Sequence, residues 1–360
     1  MQTLSRGPGH SSIAQQMVPE ASLRANLSRV RKIICRVCGA SNVNEIGEVE
    51  YYSGFPWKVF DCRACLCRFS SHDESIYNWL HTHSASIYGI YRALAEKSKR
   101  LFDQGDLVGL RRELSCSSKY KFVIEEVEQQ SRDIRLLEAG CSRGYLTSYF
   151  ILAGYKITGA DVSPDAIAGA KEAFGDRFVM ADSAAVEEGA PYDVIYHVGT
   201  IGCVSDPLGF TRDLLRLLTP GGQLLFNAPN ADSCWFKGQL WIDAAPPPDV
   251  VTLFTQGFWR KHFSGAADVT EEVEMCPPDQ AFEIGLRNFF GRRWGRPTPL
   301  QLDASVNDYQ RGRVENDNGT TSLWHLFERG GLKIGRAIHL SHLAPKQPTP
   351  FGLFVKMTKK

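Results

Sequence analysis

The sequence predicts an α/β protein built on an open, mostly parallel sheet with helices on both faces, preceded by a small cysteine-bearing unit. Three observations carry this expectation. From residue 133 to 230, short apolar runs alternate with helical segments. Residues 136–146, LLEAGCSRGYL, take a buried strand through a sharp turn whose small residues, Gly140, Ser142 and Gly144, leave room for a ligand against the backbone. Upstream, Cys35-x-x-Cys38 and Cys62-x-x-Cys65 are separated by 23 residues.

In chain order, residues 1–30 are rich in Ser and Arg and have no apolar run of signal-peptide length, so they read as a disordered leader on a cytoplasmic protein. Residues 31–70 hold five of the ten cysteines. Without a secretory signal these suggest reduced thiols or metal ligands rather than disulfides. Two Cys-x-x-Cys knuckles supply four thiolates, the donor set of tetrahedral zinc. Cys35, Cys38, Cys62 and Cys65 are therefore the expected ligands of a structural Zn²⁺ in a zinc ribbon, with Cys67 a fifth thiol nearby. Residues 71–132 show helical spacing in YRALAEKSKRLF and YKFVIEEVEQQ and read as a helical linker or substrate cap.

Within 133–230 five strands are expected: IRLLEAG, KITGADV, DRFVMAD, YDVIYHVG and GQLLFNAPN. Ser163-Pro164-Asp165 is a cap followed by proline at the first helical position, and Pro207 opens another helix that TPGG closes. Beyond Asn230 the pattern is less regular. An insert over about residues 231–320 reads as a lid or substrate-binding element, SLWHLFERGGLKIGRAIHL as helix, glycine stop and strand, and FGLFVKMTK as a final strand.

With 41 basic and 40 acidic side chains, the protein as a whole is not an electrostatic binder of nucleic acid or membrane, and no apolar run spans a bilayer. The turn itself narrows the ligand. A dinucleotide needs a third glycine, absent here, and Glu138 would repel a pyrophosphate; a triphosphate site needs a Gly-Lys-Ser/Thr that does not follow. A ligand carrying an ammonium and a sulfonium welcomes the acid. Asp161 ends the second strand, where it can accept ribose hydroxyls, and Asp182 ends the third, where it can accept from an adenine amino group. Three acids after three successive strands point to S-adenosylmethionine, with Glu138, Gly140, Cys141, Ser142, Gly144, Asp161, Val162, Asp182 and Ser183 as its expected contacts.

On these motifs, residues 133–230 resemble the class I S-adenosylmethionine-dependent methyltransferases. LLEAGCSRGYL resembles that family's first motif with Ser142 for the middle glycine, and GADVSPDAI, VMADSA and LLTPGGQLLF resemble its later ones. The resemblance implies a Rossmann-like seven-stranded methyltransferase sheet with the last strand antiparallel, behind an N-terminal zinc ribbon. Zinc ribbons precede methyltransferase domains in bacterial enzymes acting on small molecules, some of them sugars, and also in some that act on ribosomal RNA. The chain departs from the family in three places. Gly202 and Cys203 stand where many small-molecule members carry Glu-His, Val250 stands in place of a later histidine, and Asn-Pro-Pro-Tyr is absent.

These features predict methyl transfer to an oxygen or carbon of a small-molecule acceptor, such as a sugar or natural-product intermediate. His197 is the expected general base. His81 and His83 are weaker candidates. Arg287, Arg292, Arg293 and Arg296 among Phe289, Phe290 and Trp294 suit a phosphate-bearing substrate or single-stranded RNA. Two alternatives are therefore an RNA methyltransferase and a cofactor-binding protein without catalysis.

Overall fold

The computed structural model describes residues 33–52, 55–71, 89–237, 240–242, 247, 249–275 and 350–360. The leader, His81, His83, the arginine-aromatic run and the SLWHLFERGGLKIGRAIHL segment lie outside the described residues.

The main sheet is centred on strands that are apolar on both faces, as a sheet covered by helices requires. β4 (Arg135–Ala139) lies between β5 (Lys156–Asp161) and β7 (Tyr192–His197), parallel to both. β6 (Phe178–Met180) follows β5 on one side and β8 (Leu218–Pro229) follows β7 on the other. β10 (Ala267–Met275) and β11 (Pro350–Lys359) complete the order β10-β11-β8-β7-β4-β5-β6, with β11 antiparallel to both of its neighbours. This is the expected seven-stranded sheet with its last strand reversed.

The sixth strand, β10, falls inside the stretch that the sequence marks as insert. Its ADVTEEVEM has acids at alternate or adjacent positions and only scattered apolar residues, a composition that suits a charged edge strand and masks the strand signal.

The helices close both faces. α1 (Gly89–Asp103), α2 (Leu107–Leu114) and α3 (Ser118–Glu128) lead into the sheet. Leu110, Leu114, Val123, Ile124 and Val127 pack with Leu136, Phe150 and Leu225, so α2 and α3 are part of the core. α4 (Tyr145–Leu152) follows the small-residue turn. α5 (Pro164–Phe174) starts as expected, with the Ser163 hydroxyl accepting from Ala166 N. α6 (Ala184–Glu188) follows β6, and α7 (Pro207–Leu217) is capped by Asp206, which accepts from Gly209 N at 2.8 Å. α8 (Asp232–Lys237) and α9 (Phe258–Phe263) follow β8.

The cysteine unit is a second, antiparallel sheet: β1 (Val43–Tyr52), β2 (Phe55–Cys62) and β3 (Arg68–Ser70). Its fourth strand, β9 (Thr252–Leu253), comes from far along the chain. Residues 250–254 thus form a strap. Phe69 pairs with Thr252, Ser70 N donates to Val251 O (3.1 Å), and Phe254 N donates to Pro229 O at the end of β8 (2.8 Å). The buried Arg68 grips Asp61 with two hydrogen bonds and donates to Leu240 O. One apolar cluster runs from Cys35, Phe60 and Phe69 through Phe254, Phe258 and Trp259 to Leu137, Ile195 and Phe226, so the small sheet and the large one share a core.

Candidate active site and metal centre

The turn after β4 is shaped by backbone conformations that side chains resist. Gly140 has φ +81°, and a Cβ there would lie 2.5 Å from Thr200 Oγ1; Gly144 has φ +74°, and a Cβ would lie 2.5 Å from the Phe178 ring. Ser142 holds φ +50° without being glycine, a conformation that costs an L-residue about 1 kcal/mol. Asp161 at the end of β5 holds it there. Its Oδ2 accepts from Ser142 N at 2.7 Å and its Oδ1 from Ser163 N at 2.9 Å. Gly140 N and Cys141 N both donate to Ala160 O. The acid expected to meet a ribose is thus also the bolt between the turn and the second strand. Burial raises its carboxyl above the ordinary range, opposed by those N–H groups.

Glu138 is 3% exposed, and burial pushes its carboxyl up to about 8. Its Oε2 accepts from Thr147 Oγ1 and from Tyr196 Oη (3.2 Å), which lower the value, while the Asp161 charge raises it. Val162, beside Asp161, is 54% exposed, an apolar side chain presented at the mouth of the turn. Asp182 is exposed beyond the end of β6, and Ser183 takes the cap position of α6 without a side-chain cap bond. Since β4, β5 and β6 are neighbours, the nine residues expected around the cofactor lie along one edge of the sheet, the carboxyl ends of these strands. Acids for a cation and for hydroxyls, an exposed apolar side chain and a turn with room at the backbone form a donor set that fits S-adenosylmethionine.

His197 sits at the end of β7, on the same edge, but its side chain turns into the core. It is 0% exposed and stacked 4.6 Å from Phe226 and 5.4 Å from Phe210. Neither ring nitrogen has a hydrogen-bond partner among the described residues. Burial pulls its imidazole down to about 3. A general base must reach its proton directly or through one water, and in this placement the ring faces Phe226 and Phe210 instead of the open edge. The periodicity of β7 shows that the position is apolar on both sides, yet not which way a terminal side chain turns.

Sequence reasoning missed Thr147 and Tyr196, which hold Glu138, and the strap at 250–254. Thr147 lies on the first helix after the turn and Tyr196 on β7, and nothing in their spacing links them to Glu138.

The four predicted cysteine ligands converge. Their sulfurs all lie within 4.8 Å of one another, with Cys35–Cys65 and Cys38–Cys62 at 3.6 Å. A tetrahedron with Zn–S near 2.3 Å has edges of about 3.8 Å, whereas a disulfide needs about 2.05 Å. The knuckles are built alike. Gly39 N donates to Cys35 O and Leu66 N to Cys62 O, each at 2.9 Å, and both residues have positive φ, +70° and +65°. Mutual hydrogen bonding with Cys65, then burial, raises the Cys35 thiol, a crowding that a bound cation reverses. Cys67 is fully buried and lies outside the four-sulfur group. These residues fit a structural zinc ion, with no position left for a reactant.

Residues 110–267 match the family model described as a methyltransferase domain. The chain carries a class I S-adenosylmethionine-dependent methyltransferase domain. Over 119 residues, this methyltransferase domain is 31% identical to malonyl-(acyl-carrier protein) O-methyltransferase of Enterobacter lignolyticus (strain SCF1), covering 32% of this chain and 47% of that one. It is 30% identical over 99 residues to ubiquinone biosynthesis O-methyltransferase of Caulobacter sp. (strain K31), covering 26% and 39%. The aligned region thus spans less than half the length of these relatives. Among solved structures the chain is similar to the plantazolicin methyltransferase BpumL in complex with SAH, at 14% identity, 80% and 98% coverage and a TM-score of 0.36. Among the described residues, no helix is long and apolar enough to cross a membrane.

Proposed function

We propose that the protein is a methyltransferase that uses S-adenosylmethionine to methylate an oxygen or carbon of a small-molecule acceptor in the cytoplasm. The observation that carries this proposal is the row of acids at the carboxyl ends of β4, β5 and β6, joined by the hydrogen bond from Ser142 N to Asp161. The curated relatives are O-methyltransferases of small or carrier-bound acceptors, which supports the acceptor class.

When bound, the cofactor supplies an electrophilic methyl on a sulfonium. Asp161 would accept from its ribose hydroxyls, Val162 would cover its adenine, and Asp182 would accept from the adenine amino group. Glu138 would face the positively charged methionine end. Positioning supplies much of the rate in an in-line methyl transfer. The glycine-rich turn, pinned by Asp161, fixes one reactant, and the loop after β7 would present the other. His197 takes no part, so an acceptor that must lose a proton needs another base or an already acidic hydroxyl. The zinc ribbon holds the strap at 250–254 in place.

The test is calorimetric titration of the zinc-loaded protein with S-adenosylhomocysteine, followed by transfer from methyl-labelled cofactor to a metabolite extract. Binding and a labelled product that resists nuclease and protease support the proposal. A label found only in RNA, or no binding by wild-type protein, refutes it.

A further inference from the structure

Asn227, near the end of β8, has one end of its side-chain amide in use and the other end free. Its Oδ1 accepts from Gly199 N, in the loop after β7, at 2.9 Å. The carbonyl end of an amide accepts and the amino end donates, so this bond fixes which way the group faces. The Nδ2 end has no hydrogen-bond partner among the described residues. Asn227 is half-buried. Gly199 beside it is exposed, with φ +75° and nothing within 4 Å of where a Cβ would stand. The free donor thus lies next to open space at the carboxyl ends of β7 and β8.

The register of the sheet shows what shares this face. Glu138 on β4 pairs with Tyr196 on β7, and Tyr196 with Leu225 on β8. Paired side chains point to one face, and Asn227 returns to it two residues beyond Leu225. Phe354, which pairs with Asn227, stacks on Phe122 of α3 at 4.8 Å, so this is the face that α3 covers. From the same helix Tyr120 Oη donates to Tyr145 Oη at 3.2 Å, and Tyr145 is the first residue of α4 after the glycine turn. His197 pairs with Phe226 and belongs to the opposite face. Two strands across and two residues along, Asn227 stands about 12 Å from Glu138 by strand spacing and rise. The free amide therefore shares both an edge and a face with the acid that would meet the cationic end of the cofactor.

We propose that Asn227 recognises the acceptor, donating from Nδ2 to a carbonyl or hydroxyl oxygen of a small molecule lodged against Gly199. This rests on the methyltransferase proposal and names the chemistry of its acceptor subsite. The amide end on offer is a donor only, so it selects an oxygen and rejects an ammonium. Asn227 is a binding residue in this account, and transfer itself stays with the cofactor and the acceptor.

The experiment uses the full chain, zinc-loaded and saturated with S-adenosylhomocysteine. Acetone, methyl glucoside and methylammonium are the probes, read by saturation-transfer NMR. Asn227→Asp keeps the oxygen that accepts from Gly199 N and exchanges the donor for an anionic acceptor; Asn227→Ala removes both. Wild type is expected to bind acetone or methyl glucoside more tightly than methylammonium. Asn227→Asp is expected to weaken that binding about tenfold, with amide exchange at Gly199 unchanged and S-adenosylhomocysteine affinity within about threefold. The probe that binds separates a carbonyl from a hydroxyl site. Equal binding by wild type and Asn227→Asp, none by wild type, or a preference for methylammonium overturns the proposal. If Asn227 only held the loop, Asn227→Asp would behave as wild type and Asn227→Ala alone would differ. No binding of S-adenosylhomocysteine by wild type refutes the methyltransferase proposal instead. Once an acceptor is in hand, Asn227→Asp should raise its KM by about tenfold or more and leave kcat within about threefold, and an unchanged KM overturns the proposal.

Discussion

Replacing Glu138 by glutamine tests the electrostatics at the heart of the site. In the folded protein burial raises this carboxyl from 4.5 to about 8, so between those values the folded state binds a proton that the unfolded state has released. Stability must then fall as pH rises from about 4.5 to 8 and level off above, because the unfolded chain releases its proton first. At about 1.4 kcal/mol per pH unit of displacement, the loss across this window is on the order of 3–5 kcal/mol. The glutamine side chain keeps the shape and does not titrate. Its amide oxygen can accept from both Thr147 and Tyr196, since both bonds in the native protein fall on one oxygen. The assay is urea denaturation of both proteins at half-unit steps from pH 5 to 9 without cofactor. The stability difference should shift steadily in favour of E138Q as pH rises to 8. The same proton governs a second readout. A cationic ligand at Glu138 favours its ionised form, so S-adenosylmethionine should bind wild type more tightly as pH rises toward 8, and E138Q with less pH dependence. Parallel stability curves would refute the claim that Glu138 is held protonated by burial.

Three further outcomes are expected. Gly144→Ala must combine a positive φ with a Cβ against the Phe178 ring, so it should lose at least about 3 kcal/mol in chemical denaturation. His197→Phe replaces a buried ring that makes no hydrogen bond among the described residues, so stability should hold or rise by up to about 1 kcal/mol and methyl transfer should persist; a folded but inactive variant would restore the base. Stripping zinc with a chelator should increase deuterium exchange at Val251 and Thr252, whose amides bond to Gly202 O, while amides of β4 and β5 stay protected.

The strands β4 to β8 were legible because each is a short apolar run ended by a residue with a visible purpose: the glycine turn, Asp161, the Ser163 cap, Pro207. The four-cysteine cluster was legible because two knuckles at ribbon spacing bring four thiolates to one point, the donor set of tetrahedral zinc. What stayed hidden depends on contacts across the fold. β9 is two residues long and exists because β3 offers an open edge. β10 is an edge strand with four acids among nine residues; Asp268 and Glu272 are exposed, while Glu271 is buried and accepts from Gly257 N and Arg260 N. The inward turn of His197 is set by Phe226 and Phe210, on two other elements.

The reversed strand has a further consequence. Among the described residues β10 pairs with no strand but β11, and their register runs from Ala267↔Lys359 to Met275↔Pro350. The two ends of the segment 276–349 are therefore clamped side by side at one corner of the sheet, whatever that segment contains. Closing a loop costs only about 0.6 kcal/mol more for each doubling of its length. By loop-closure entropy alone, a change in the length of chain between these paired ends costs the sheet little. In evolutionary terms the paired ends form a socket, two neighbouring strands through which the chain leaves the sheet and returns to it.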